Sequence, residues 1–142
     1  MTESTKPVPS STDASGPFWA GCAAGVLNLR HCPSCNISYA PTRQLCSCGN
    51  AQLSWVEASG RGTIFSYTVV HRAPDPAFKA DLPYVIAIVE LEEGARLLSD
   101  IGGCPADKVC IGMAVRGHLP GGGSRHRRAQ IRSDLKEGRP GR

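Results

Sequence analysis

The sequence predicts a mainly β protein in which a small ribbon leads into a compact barrel. Sixteen glycines and eleven prolines among 142 residues indicate many turns and leave little room for long helices. β-Branched and aromatic residues are concentrated in short runs in the middle of the chain, which is typical of strands. Two closely spaced cysteine pairs precede these runs. The length suffices for one small module joined to one compact domain.

The N-terminal part of the chain predicts one short helix after a polar segment. Residues 1–16 contain almost nothing to bury, so we expect them to be disordered. Apolar side chains then recur at three- and four-residue steps: Phe18, Trp19, Cys22, Ala23, Val26 and Leu27. This spacing predicts a short amphipathic helix that begins near Pro17 and ends near Gly25, within an N-terminal helical segment of residues 17–31.

The cysteines of residues 32–58 predict a metal-binding ribbon. Cys32 and Cys35 enclose two residues, whereas Cys46 and Cys48 enclose only Ser47. Zinc takes four tetrahedral ligands, and two facing knuckles of this kind supply four thiolates. We therefore predict one structural zinc ion in a rubredoxin-like ribbon. The alternatives are reduced buried thiols or two local disulfides in place of a metal site.

One histidine and three further cysteines outside the two cysteine pairs are also candidates for functional groups. A catalytic zinc site would need an open position and often a histidine, so His31 is an alternative ligand. Cys22, Cys104 and Cys110 lack metal-ligand spacing, and we expect each to be a packed thiol.

Residues 59–120 predict a barrel. The expected elements are a strand at 63–71 with apolar groups on both faces, a proline-rich loop at 73–82, a buried strand at 84–89, a tight turn at 92–94, a strand at 95–101, a helical turn at 105–109 and a strand at 113–119. Roughly five strands with a long loop after the first predict a small Greek-key barrel of the OB type. A short strand at 53–58 should join it to the ribbon.

The charge of the chain is concentrated at its C-terminal end. The net charge is +4, and the last 18 residues hold seven basic residues: Arg125, Arg127, Arg128, Arg132, Lys136, Arg139 and Arg142. This asymmetry predicts a flexible basic tail at 121–142 rather than a nucleic-acid-binding face on the folded part. No stretch approaches the ~20 apolar residues of a membrane span, and residues 1–16 do not resemble a signal peptide, so we expect a cytoplasmic protein.

The sequence offers no assembled catalytic group. An enzyme would need a nucleophile with a base, paired acids or an open metal site. His71 and Asp75 could form a dyad, but Asp75 lies in a proline-rich loop and is more naturally a turn residue. We therefore expect no independent activity.

Several short motifs, taken together, resemble a known family. They are Phe18-Trp19, residues 25–32, the two knuckles with Pro41-Thr42-Arg43 between them, and residues 60–63, 66–69, 83–85, 89–91 and 111–113. Over about residues 17–116 the chain resembles the zinc-ribbon plus OB-fold proteins associated with acyl-CoA enzymes.

The resemblance implies a function. Such a protein is a non-catalytic accessory subunit that binds or helps present acyl-CoA to a thiolase-like or lipid-transfer-type aldolase partner in lipid metabolism. The positions that could share in binding CoA are Trp19, Arg30, Arg43, Tyr67 and His71. Phe18 and Trp19, together with the apolar groups on both faces of the first barrel strand, suggest a protein interface, with a homodimer as one option. The alternative is that these groups pack within the chain. The alternative function is a module that binds single-stranded nucleic acid.

The chain departs from the family pattern at two places. Ser47 is the only residue between the last two cysteines, where the family usually has two residues. A Gly- and Arg-rich stretch at 121–128 also replaces the usual final strand. We therefore expect residues 129–132 to close the barrel poorly and truncation after Pro120 to be tolerated.

Overall fold

The computed structural model describes residues 6, 7, 9–118 and 130–133, and it confirms a mainly β fold with one N-terminal helix. The elements in chain order are α1 (Gly16–Ala24), β1 (Asn28–Cys32), β2 (Ile37–Tyr39), β3 (Ser54–Glu57), β4 (Arg61–Val70), β5 (Tyr84–Leu91), β6 (Arg96–Gly102), β7 (Ala114–His118) and β8 (Gln130–Ser133). Short 3-10 helices, Pro76–Asp81 and Ala106–Lys108, lie between β4 and β5 and between β6 and β7.

The first sheet is a small ribbon of three antiparallel strands in the order β2-β1-β3. In the central strand, Arg30 pairs with Tyr39 on one side and with Trp55 on the other. The strands have five, three and four residues, and sheets this small bury little apolar surface. The buried cluster of the ribbon consists of Cys32, Cys46 and Leu53, with Tyr39 packed beside it. The ribbon therefore needs a further source of stability.

The second sheet closes into a barrel with the strand order β4-β5-β6-β8-β7. Alternate side chains of β5 point inward, and Val85, Ala87, Val89 and Leu91 are all buried. β5 and β6 form the predicted hairpin, whose turn contains Gly94 with a φ of 84°. The barrel is closed by antiparallel pairing on both sides of β4 and by parallel pairing of β6 with β8.

The start of the ribbon packs into the hydrophobic core of the barrel. Leu27 and Leu29, which precede and begin the ribbon, are buried in the same cluster as the barrel side chains. Gly21 allows α1 to approach this segment, because a Cβ at that position would lie 2.6 Å from Asn28 Nδ2 and 2.7 Å from the Val26 carbonyl oxygen. The first ribbon strand is therefore anchored in the barrel.

The connection from β3 to β4 is held by the β5–β6 turn. The Ser59 amide donates a 2.5 Å hydrogen bond to Glu93 Oε1, and the Ser59 hydroxyl donates a 3.2 Å bond to Glu92 Oε2. Arg61 makes a two-pronged ion pair with Glu92 at 2.9 Å and lowers the pKa of that carboxyl. Two neighbouring carboxylates thus fasten the joint between the ribbon and the barrel.

The predicted short N-terminal helix is confirmed, since α1 spans Gly16–Ala24 and ends where Gly25 adopts a left-handed conformation. The wider helical segment of residues 17–31 is wrong beyond that point, because Asn28–Cys32 form a strand. Val26 and Leu27 continue the helical spacing in the sequence but lie between α1 and β1. Of residues 1–16, expected to be disordered, Thr12 and Ser15 form a hydrogen-bonded turn before α1, and residues 1–5 and 8 lie outside the described residues.

The expectation of a poorly closed barrel is wrong. β8 pairs with both β6 and β7, and Ile131 is buried in the common core. The barrel therefore extends beyond the predicted limit of residue 120 and takes its last strand from the segment assigned to the tail. Residues 119–129 and 134–142 lie outside the described residues, so the flexible tail stays a prediction there.

The burial of Ile131 leads to a stability test. We expect Ile131→Ala to lower the free energy of unfolding by about 2–5 kcal/mol, because it removes a buried aliphatic side chain at the seam of the barrel. Ile111→Ala is the matched control, since Ile111 is 68% exposed, and it should change the value by less than about 0.5 kcal/mol. Denaturant titration measures both. Equal stability of the two variants would mean that the barrel holds without β8.

Candidate metal centre

The structure brings four cysteines together in the ribbon. The sulfur atoms of Cys32, Cys35, Cys46 and Cys48 all lie within 4.8 Å of one another. Cys35 and Cys46 are 3.1 Å apart at sulfur, and Cys32 and Cys48 are 3.7 Å apart. Four thiolates around a tetrahedral zinc ion stand about 3.8 Å from one another, given a zinc–sulfur distance of about 2.3 Å. The donor set and its spacing therefore fit a metal ion such as zinc.

Two tight turns position these cysteines. Cys32 is the last residue of β1, and the loop to β2 carries Cys35 and closes with a bond from the Asn36 amide to the Cys32 carbonyl at 2.9 Å. In the second knuckle the Gly49 amide donates to the Cys46 carbonyl at 2.9 Å, and Gly49 has a φ of 88°. Glycine is favoured at that position because other residues rarely adopt positive φ.

The electrostatics of the cluster favour a cation. Hydrogen bonds from the Tyr39 hydroxyl and the Cys48 amide lower the pKa of Cys46 to about 5. The neighbouring Cys46 and Cys32 sulfurs raise the pKa of Cys35 to about 12. Closely spaced thiolates cannot all carry their charge without a counterion. A divalent metal ion would neutralise part of that charge and hold all four sulfurs as ligands.

Two side chains that the sequence analysis did not identify support the cluster. The Tyr39 hydroxyl lies 3.2 Å from Cys46 Sγ. Asn50 Nδ2 lies 3.0 Å from Ser34 Oγ and 3.8 Å from Cys32 Sγ, so Asn50 links the two knuckles. Asn50 directly follows the second knuckle, which is a local signal. Tyr39 reaches the cluster only through the β1–β2 hairpin and carries no such signal.

The structure also bears on the local disulfides, on His31 as a ligand and on the three cysteines outside the cluster. The four cysteines are free thiols, so local disulfides are absent from the ribbon. His31 lies outside the cluster, and its Nδ1 is 3.1 Å from Ser38 Oγ. Cys22 is buried, and burial raises the pKa of its thiol. Cys104 is partly buried, but Cys110 is exposed, so the prediction of a packed thiol is wrong for Cys110.

The five residues suggested for CoA contact are divided among three parts of the molecule. Arg30 and Arg43 lie in the ribbon, where Arg30 Nε donates to the Arg43 carbonyl at 3.1 Å. Both guanidinium groups stack on ribbon aromatics, Arg30 on Trp55 at 4.6 Å and Arg43 on Tyr39 at 5.0 Å. These contacts engage both arginines within the ribbon.

The other three suggested residues lie on α1 and at β4. Trp19 is half-buried on α1 and meets Phe18 edge to face, with ring centroids 4.9 Å apart. Tyr67 is exposed on β4, and His71 is exposed directly after it. His71 borders a cleft of about 580 Å³ whose other lining residues are Val69, Pro83, Pro105, Ala106 and Asp107.

Asp75, which the sequence suggested as a dyad partner of His71, caps a helix instead. Asp75 Oδ1 accepts a 2.8 Å hydrogen bond from the Ala77 amide and caps the 3-10 helix Pro76–Asp81. This agrees with its expected place in a turn, and it leaves the His71–Asp75 dyad without structural support.

Comparisons with known proteins agree with this architecture. The model of the ChsH2 C-terminal OB-fold domain matches residues 55–119. A 3-oxo-4,17-pregnadiene-20-carboxyl-CoA hydratase alpha subunit of Mycobacterium tuberculosis is 38% identical over 108 residues, covering 76% of this chain. A DUF35 domain-containing scaffold protein of Methanocaldococcus jannaschii is 42% identical over 96 residues, covering 66% of this chain. The chain spans only 34% of the hydratase subunit's length and 64% of the scaffold protein's length.

A solved structure covers nearly the whole chain. It is described as an Ltp2-ChsH2(DUF35) aldolase, and it matches with a TM-score of 0.71 and 31% sequence identity. The match covers 89% of this chain and 98% of the other. The protein therefore belongs to the DUF35 family, and its barrel is an OB-fold of the ChsH2 C-terminal type.

Proposed function

We propose that this protein is a non-catalytic accessory subunit of an enzyme complex that processes acyl-CoA. The observation that carries the proposal is the match along almost the full chain to the DUF35 chain of an aldolase. One further relative is named as the alpha subunit of a hydratase for a CoA thioester and another as a scaffold protein, and both names support a place in an enzyme complex. A thiolase-like or lipid-transfer-type aldolase protein is the partner that we propose.

The contribution to the complex is structural and positional. We propose that Cys32, Cys35, Cys46 and Cys48 hold one structural zinc ion, which would fix both knuckles and leave no ligand position open for catalysis. The thiolates are proposed as zinc ligands because all four sulfurs converge within 4.8 Å. The reduced cysteines also suit a cytoplasmic protein.

Helix α1 is the surface that we propose for contact with the partner enzyme. It contains no acidic residue in its first turn and no basic residue in its last turn, and Pro17, Ala20, Ala23 and Ala24 are exposed. A nine-residue helix is marginal on its own in water, so it depends on what it packs against. Phe18 packs against the barrel core, which leaves Trp19 as the larger group available to a partner. Self-association through the same surface would give a homodimer instead.

Acyl-CoA contact is the more specific part of the proposal. Trp19, Tyr67 and His71 remain accessible, and His71 borders the cleft at the end of β4. The cleft residues Val69, Pro83, Pro105 and Ala106 offer an apolar wall for an acyl or pantetheine chain. Arg30 and Arg43 would contribute chiefly by holding the ribbon in shape.

The nucleic-acid alternative finds little support on the barrel strands. Binding of single-stranded nucleic acid needs aromatic platforms with free cations beside them. Phe65 is exposed, but Arg96 stacks on it and is paired with Glu90 at 2.8 Å. Arg61 is likewise paired with Glu92.

Membrane-spanning helices are a separate question. In the part of the chain that the structure describes, none of the helices has the length and apolar character of a membrane span.

The zinc proposal predicts about one zinc ion per chain in elemental analysis. We expect Cys46→Ser to lose the metal and the fold of the ribbon, because ligand binding supplies most of the folding free energy of so small a module. Cys110→Ser is the matched control, since Cys110 is exposed and outside the cluster, and it should retain full zinc content. Zinc at wild-type stoichiometry in Cys46→Ser would show that this thiol is not a ligand.

The accessory role predicts that the chain alone turns over no acyl-CoA but forms a stable complex when co-expressed with a thiolase-like or aldolase partner. Trp19→Ala should weaken the complex at least tenfold, about 1.4 kcal/mol, because aromatic anchors dominate interfaces. Leu98→Ala, a change at a side chain 75% exposed on β6, is the control for a non-interface apolar group. Size-exclusion chromatography and titration measure both. Turnover of acyl-CoA by the isolated chain would contradict the accessory role. Binding of single-stranded DNA by the chain instead of the partner enzyme would also contradict it.

A further inference from the structure

The second cysteine knuckle is one residue shorter than the first, and its turn is closed by the Gly49 amide, which is bonded to the Cys46 carbonyl and not to a sulfur. Cys32 Sγ accepts hydrogen bonds from the backbone amides of Ser34 and Cys35. Cys46 Sγ accepts one from the Cys48 amide. The next amide of the second knuckle, that of Gly49, donates to the Cys46 carbonyl at 2.9 Å, so a second donor for Cys46 Sγ must come from elsewhere. Metal-bound thiolates are strong acceptors, and their partners help to orient them.

The Tyr39 hydroxyl occupies the place of that missing donor. It lies 3.2 Å from Cys46 Sγ and 3.0 Å from Ser47 Oγ, while the Ser47 amide approaches it at 3.5 Å. A phenol has one proton to donate and two lone pairs to accept with. Both contacts from Ser47 can be accepted by the lone pairs. The single proton of Tyr39 is therefore available for Cys46.

The surroundings of Tyr39 fix the direction of its hydroxyl. Its backbone is paired with Arg30 in the β1–β2 hairpin, and its ring packs against the buried cluster formed by Cys32, Cys46 and Leu53. The Arg43 guanidinium lies 5.0 Å from the ring centroid. A cation over the ring withdraws electron density from the phenol and makes the hydroxyl a better donor. Arg43 is itself held by a 2.7 Å bond to the Leu45 carbonyl.

We propose that Tyr39 is a positioning residue of the metal centre, which donates its hydroxyl proton to the Cys46 thiolate and compensates for the short second knuckle. The proposal rests on the proposed metal site. It assigns Arg43 to the same chain of contacts, in which the guanidinium faces the ring, the ring presents the hydroxyl and the hydroxyl orients the thiolate. In this role Tyr39 does not touch the metal.

Cobalt substitution tests the proposal, because Co²⁺ takes the tetrahedral thiolate site and reports each sulfur by its charge-transfer absorption. Removal of a hydrogen bond leaves a thiolate more electron-rich, so Tyr39→Phe should move this band to lower energy. The same variant should bind zinc about tenfold more weakly in chelator competition. Tyr67→Phe removes an exposed hydroxyl on β4, and both quantities should stay at their wild-type values in it.

The possible outcomes separate the two proposals. Failure of the wild-type chain to bind cobalt or zinc would remove the metal centre and this inference together. Metal binding by the wild type, with the band and affinity of Tyr39→Phe equal to those of Tyr67→Phe, would overturn only the role of Tyr39.

A second measurement decides the case in which Tyr39→Phe does not fold or take up cobalt. The wild-type sequence can be produced with monofluorinated tyrosine, whose hydroxyl is a stronger donor and whose size is almost unchanged. The cobalt band should then move to higher energy. Such a shift can be assigned to Tyr39, since Tyr67 and Tyr84 lie on barrel strands rather than beside the sulfurs. An unmoved band would overturn the proposal.

Discussion

The convergence of four cysteine sulfurs is the constraint on which the ribbon depends. The strands of the ribbon are at most five residues long, and its separate buried cluster contains only Cys32, Cys46 and Leu53. So small a core cannot offset the conformational entropy of ordering about thirty residues. A metal ion held by four thiolates would supply the missing free energy and fix the relative position of the two knuckles.

The consequences of this constraint extend beyond the ribbon through β1. Cys32 ends this strand among the sulfurs, whereas Leu29, three residues earlier, is fully buried in the barrel core. The position of β1 is therefore defined at both ends by different interactions. The carboxylates of Glu92 and Glu93 fasten the exit from the ribbon through Ser59. The accessory role proposed above would require such connections, because a subunit can position a partner or a substrate only if its own modules keep a fixed geometry.

Sequence reasoning succeeded where the determining interactions are local. The spacing of the cysteines, the turn at residues 92–94 and the apolar run that became β5 each carry a signal within a few residues. The resemblance to acyl-CoA-associated proteins was sufficient for the family, which the comparisons confirm.

Sequence reasoning failed where distant residues decide the structure. β8 has Ile131 as its buried residue within a polar stretch, and its place is set by pairing with β6 and β7 rather than by its own pattern. β1 was placed in the N-terminal helical segment, and its true position is set by Leu29, which packs in the barrel core. Tyr39 could not be linked to the metal centre from its position, since the hairpin brings it to Cys46 across seven residues. The stacking of Arg30 and Arg43 on aromatic rings of the ribbon was not predicted either, and their suggested contact with CoA stays a prediction.

Hydrogen–deuterium exchange with and without a zinc chelator tests most directly whether the ribbon depends on metal while the barrel is held by its own core. Removal of metal should abolish the protection of amides in β2 and at the Cys32 end of β1, while β5, whose buried residues include Val85, Ala87 and Val89, should keep its slow exchange. Unchanged protection of the ribbon after complete removal of zinc would contradict the account, and so would a chain that contains no metal while its ribbon amides are already protected.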